Sequence, residues 1–62
     1  MNEIQYRILE LLALARSNGM FQTDLAAKLN VDAKTVFFHL KKLEVNGLLY
    51  VQKYNYEEYY TK

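Results

Sequence analysis

The sequence predicts an α+β fold, three helices followed by a two-stranded β-hairpin. Three observations predict it. Apolar residues recur at helical spacing in three separate stretches. A glycine or an asparagine follows each of them. After Gly47 the pattern changes to tyrosines and β-branched residues with a turn residue in their midst.

Residues 3–17 form the first helix in this reading. Asn2 is placed to cap it and Glu3 suits its first turn. Ile4, Ile8, Leu11, Leu12 and Ala15 make a core stripe, which Leu9 and Leu14 widen. Arg16 falls in the expected last turn, where a cation is favoured, and Gly19 stops the helix. Met20 and Phe21 form a short apolar bridge. Residues 22–29 form the second helix, with Leu25, Ala26 and Leu29 facing inward. Phe21 occupies the position where a capping side chain is expected, so Thr23 or Asp24 is the candidate cap. Asn30 suits the left-handed conformation that ends helices, and Val31 is a buried link in a tight turn.

Asp32 is a strong N-cap for the third helix, residues 33–46, and Gly47 closes it. "LLYVQKY", residues 48–54, reads as a strand, Asn55 as the turn, and "YEEYYT", residues 56–61, as the returning strand. Two helices joined by a tight turn, a third helix and a hairpin wing together describe a winged helix-turn-helix. Its expected core is Leu25, Ala26, Val31, Val36, Leu40, Leu43 and the Gly47–Leu48 corner.

Phe37 and Phe38 sit side by side in the third helix. With Val36 at zero on a helical wheel, Leu40 and Leu43 fall within about 40° and define the core side. Phe37 falls about 100° away, on a flank, and Phe38 about 200° away, nearly opposite the core. Lys34, Lys41, Lys42 and Val45 share that outer face. In a winged helix this is the face presented to the major groove. A large exposed aromatic marks either a contact surface or a site covered by another segment.

Length and composition bound the rest. The 62 residues make one domain, and a chain this small buries only about 60% of its unfolded surface. There are no cysteines, which is consistent with a reducing, intracellular compartment. The longest apolar run, Leu11 to Ala15, is far short of the roughly 20 residues a membrane span needs. No signal-peptide pattern opens the chain. Net charge is +1, so any nucleic-acid contact rests on local charge placement and is modest in strength. His39 is the only histidine and reads as a half-buried packing residue; with no cysteine beside it, a zinc site is disfavoured. No Ser-His-acid grouping, phosphate loop or metal cluster is present, and Glu57 and Glu58 point to opposite faces of a strand, so no catalytic residue, cofactor or small-molecule substrate is expected.

The stretch "ILELLALARSNGMFQTDLAAKLNVDAKTVFFHLKKLEVNGLLYVQ", residues 8–52, resembles the B-block-binding winged-helix module of the largest subunit of transcription factor IIIC. The more particular marks are Gly19, Gln22, Thr23, Asp24 and Leu25, then Thr35, Val36, Phe37, Phe38, Lys41, Lys42, Leu43 and Glu44. The resemblance implies a module of a large nuclear protein that helps recognise the internal B-block promoter element of transfer-RNA genes and recruit RNA polymerase III. It also implies that these residues are a fragment, or a small relative using one module. Members often carry Pro-Arg after the aspartate that caps the third helix, whereas this chain has Ala33 and Lys34. Lysine keeps the charge and loses the bidentate geometry arginine offers guanine.

The expected partners are therefore duplex DNA, bound weakly to moderately, and other subunits of a transcription complex. Lys34, Lys41 and Lys42 are the phosphate or base-edge candidates, Thr35 and Phe38 complete the helix face, and Gln22 and Thr23 open the second helix, whose amides suit a phosphate. The wing offers Lys53 and Asn55, with Tyr54 and Lys62 beside them, but Glu57 and Glu58 oppose them. Three lysines neutralising phosphates predict a log-log salt slope of about −3. The second reading is a protein-interaction module centred on Phe38, because interface cores favour aromatics.

Overall fold

The computed structural model describes all 62 residues. Helix α1 spans Glu3–Ala15, and the Asn2 side chain accepts a hydrogen bond from the Gln5 amide, as expected of an N-cap. The α-helix stops at the last residue of its apolar stripe, two residues short of the expected range 3–17. Arg16 adopts a positive φ of 56° and opens a 3₁₀ turn, Arg16–Asn18, so it does not extend the last α-helical turn.

Gly19 is more than a helix stop. Its φ is 66°, and a Cβ built there would lie 2.7 Å from the Tyr60 carbonyl oxygen. Only glycine allows the chain to pass this close to the last strand.

Met20–Phe21 form strand β1, which pairs antiparallel with β3 (Glu57–Thr61) in the register Met20 with Tyr60 and Phe21 with Tyr59. Strand β2, Tyr50–Tyr54, pairs with the other side of β3. The expected hairpin is therefore present, but within a three-stranded sheet of order β1-β3-β2. A two-residue segment carries too little periodicity to read as a strand, so the apolar bridge gave no sign of its pairing. The hairpin turn is Asn55–Tyr56, both at positive φ, the backbone of a type I′ turn.

Helix α2, Gln22–Leu29, has Phe21 at its N-cap position and no side-chain cap; neither Thr23 nor Asp24 caps it. Asp24 lies in the first turn, where a carboxylate still favours the helix dipole. Asn30 closes the helix in the left-handed conformation, and the Val31 amide returns to the Ala26 carbonyl. Val31 is half-buried against the core, not fully enclosed.

Helix α3 spans Ala33–Val45 and is capped by Asp32, whose carboxylate accepts from the Lys34 amide. Gly47, at φ 74°, ends it, with the Gly47 amide bonded to the Glu44 carbonyl and the Leu48 amide to that of Leu43. The core gathers Ile8 and Leu12 of α1, Leu25 and Leu29 of α2, Val36, Leu40 and Leu43 of α3, then Leu49 and Tyr60. One corner differs from expectation: Leu48 stays 40% exposed while Leu49 is 2% exposed. The left-handed Gly47 swings the chain by one residue, and β2 starts at Tyr50, not at 48.

Tyr60 is the largest fully buried side chain. It shares the inner face of β3 with Glu58, and its hydroxyl points at the Glu58 carboxylate, 3.5 Å away. Burial and the nearby Glu58 and Glu44 carboxylates push its phenol up to about 12, so it is neutral at ordinary pH.

Candidate nucleic-acid interface

The N-cap, the glycine stop and three inward apolar residues orient α3, and together they fix its outer face. Val36, Leu40 and Leu43 are buried, Phe38 is 57% exposed on the far side, and Phe37 lies on the flank. Lys34, Thr35, Lys42 and Val45 are exposed beside Phe38. The Lys42 ammonium stands over the Phe38 ring, 4.8 Å from its centroid. On its other side Phe38 meets the buried His39 edge-on, with centroids 5.6 Å apart. His39 is anchored in turn by Gln5 of α1, whose Nε2 lies 3.0 Å from its Nδ1. The histidine thus packs more deeply than a half-buried residue, and it buttresses the base of the exposed ring.

Lys41 occupies a different environment. Its ammonium stands 5.0 Å above the Phe37 ring and makes both ion pairs of the chain, 3.4 Å to Glu44 and 3.6 Å to Glu58 of the wing. It is turned toward the sheet and already neutralised. The signal for this was available: Glu58 and Tyr60 are two apart on one strand, so a carboxylate shares the face of the buried tyrosine. What the sequence lacked was the placement of that face against α3.

Gln22 also has an internal partner. Its side-chain amide donates to the Ala33 carbonyl at 3.0 Å, joining the start of α2 to the start of α3. Thr23 is exposed beside it. A shallow cleft between the start of α2 and the wing tip is lined by Phe21, Gln22, Thr23, Tyr56, Glu57 and Glu58. Two carboxylates thus border the helix end that would otherwise attract a phosphate.

Lys53 and Asn55 are exposed on the wing. Lys53 lies opposite Glu58 in the hairpin register, and Asn55 forms the turn. The structure therefore brings Lys34, Thr35, Phe38 and Lys42 together on one face. It draws Lys41 aside to the acidic wing and leaves Lys53 and Asn55 at the hairpin's far end. No group of three or more His, Cys, Asp or Glu side chains is placed to hold a metal ion, and no helix is long and apolar enough to cross a membrane.

The family model described as the B-block binding subunit of TFIIIC matches residues 2–62, which is nearly the whole chain. A comparison with curated proteins finds no match.

Proposed function

This chain belongs to the family of the B-block binding subunit of transcription factor IIIC, and on that premise we propose that it is a winged-helix module that binds duplex DNA and helps recognise the B-block element for RNA polymerase III transcription. That family is a transcription-factor subunit family, not an enzyme family. The proposal includes a nuclear location and contacts with other subunits of the complex.

The observation that carries this reading is the outer face of α3. Lys34 and Lys42 are exposed there without an ion-pair partner, since both ion pairs of the chain use Lys41. The two lysines stand eight positions apart on α3, about 12 Å along the axis. That is close to the width of the major groove, about 12 Å. A helix laid in the groove would bring the two ammonium groups to the phosphates while Phe38 reaches base edges, where an aromatic ring suits a thymine methyl. Thr35 adds a hydroxyl at the N-terminal end, and Lys53 and Asn55 offer a smaller contact from the wing.

The charge count sets the strength. With Lys41 held by carboxylates, two lysines of α3 contribute, and the salt slope falls to about −2. A phosphate bound by Lys53 would restore about one unit. Lys34 supplies a point charge where a bidentate arginine would discriminate guanine, so this face favours affinity over sequence choice.

A second reading has one observation in its favour. Phe38, 57% exposed on a buttressed base, matches the aromatic anchor of a protein interface, and the net charge of +1 asks for no polyanion. A chemical-shift titration with B-block duplex and a scrambled duplex tests the two together. Shifts along 34–42 that vanish in Lys42→Ala support DNA binding, and a difference between duplexes measures specificity. No shifts at low salt would overturn the DNA reading and leave Phe38 as a protein contact.

A further inference from the structure

We propose that the free edge of β2 is a self-association surface that pairs with the β2 strand of a second copy of this chain, a property separate from the DNA-binding reading. Strand β2 lies at the end of the β1-β3-β2 sheet, so one side of it carries no partner strand. The register fixes which groups face outward. The two-residue turn makes Tyr54 and Glu57 the hydrogen-bonded closing pair of the hairpin. Antiparallel alternation then bonds Tyr50, Gln52 and Tyr54 to β3 and turns the N–H and C=O groups of Val51 and Lys53 outward. Unpaired edge groups of this kind template the addition of another strand.

The sequence of the edge selects the occupant. "YVQKY" places Tyr50 and Tyr54 at equal distances from Gln52. An antiparallel pairing with its two-fold axis at Gln52 is isologous and satisfies the outward groups without remainder. Val51 exchanges both hydrogen bonds with Lys53 of the second copy, and Lys53 with Val51 of the second copy. Gln52 faces Gln52, and Tyr50 faces Tyr54, as the close, non-hydrogen-bonded pairs. The tyrosines are 67% and 63% exposed in the single chain, and this register covers them with one another. Charges agree as well: Lys53 meets Val51 across the axis, so no lysine opposes its own copy. A slip of one strand by one residue would set these groups against inward-bonded ones and lose the ladder, whereas an axis at Val51 or Lys53 would pair only three of the five residues of each strand.

A five-residue edge covers less than the area of a standard stable interface, so the dimer is weak and concentration-dependent. The chain has no cysteine, which makes a cross-link unambiguous. Under mild oxidation Gln52→Cys should form a disulfide dimer several times faster than Tyr56→Cys, although Tyr56 is 100% exposed and lies outside the paired segment. Sedimentation of the unmodified chain up to about 1 mM should show reversible dimerisation. Lys53→Pro, which removes one outward N–H and none that bonds β3, should abolish it while circular dichroism stays unchanged. A monomer throughout, or equal cross-linking of the two cysteine variants, overturns the proposal. So does a dimer that survives in folded Lys53→Pro. If Lys53→Pro does not fold, the cysteine comparison decides alone.

Discussion

Releasing Lys41 from its two carboxylates should strengthen DNA binding by a calculable amount. In Glu44→Gln/Glu58→Gln the partners at 3.4 and 3.6 Å lose their charge while their size stays the same. Lys41 then becomes a third phosphate ligand. One more neutralised phosphate steepens the salt slope by about 0.9, from about −2 to about −3. Extrapolated from a 1 M reference to 0.1 M salt, that contact is worth about eightfold in affinity. The cost to the fold is small, since the side chains involved are 32–40% exposed and such pairs contribute about 0–1 kcal/mol. Fluorescence anisotropy of a labelled duplex, titrated between about 50 and about 200 mM salt, measures both quantities. Adding Lys41→Ala to the same background must cancel the gain, which separates a new contact from a general reduction in negative charge. In the unmodified chain Lys41→Ala should matter less than Lys42→Ala. An unchanged slope in the double variant would refute the reasoning, as would a gain that survives Lys41→Ala.

Other expectations follow from single positions. Tyr60 is raised from 10.0 to about 12 in the folded chain, so its contribution is complete below pH 10 and is lost as pH rises toward 12. That loss amounts to about 1 kcal/mol by about pH 11, and urea unfolding of Tyr60→Phe at about pH 8 and about pH 11 should lack it. Gly19→Ala forces a Cβ against the Tyr60 carbonyl at a positive φ and should cost more than about 1 kcal/mol, read as a lower urea midpoint. Phe38→Ala should leave thermal stability within about 0.5 kcal/mol, since the ring faces solvent; a large loss would place Phe38 in the core.

The sequence and the structure agree where local chemistry decides. Asp32 and Asn2 cap their helices through the bonds their side chains were expected to make. Gly47 and Asn30 end theirs in left-handed conformations. The outward placement of Phe38 follows from the period of α3 alone. Disagreement appears where two distant segments meet. Met20–Phe21 became a strand because β3 offers it an edge, and nothing within two residues announces that. Leu49 replaced Leu48 in the core because one left-handed glycine rotated the chain. Lys41 left the binding face because a wing carboxylate, seventeen positions later in the sequence, reaches it.

The sequence by itself determined the three helices, the caps at Asn2 and Asp32, the stops at Asn30 and Gly47, the hairpin, the core stripe of α3 and the aromatic on its outer side. These depend on periodicity, capping and turn chemistry, which act over a few residues. Tertiary structure alone decided which lysines remain free, how Gln22 is held, which strand edge stays open and why Gly19 must be glycine. Each of those depends on distances between groups far apart in the chain, and such distances are set only when the helices close over Tyr60 and the wing folds back against α3.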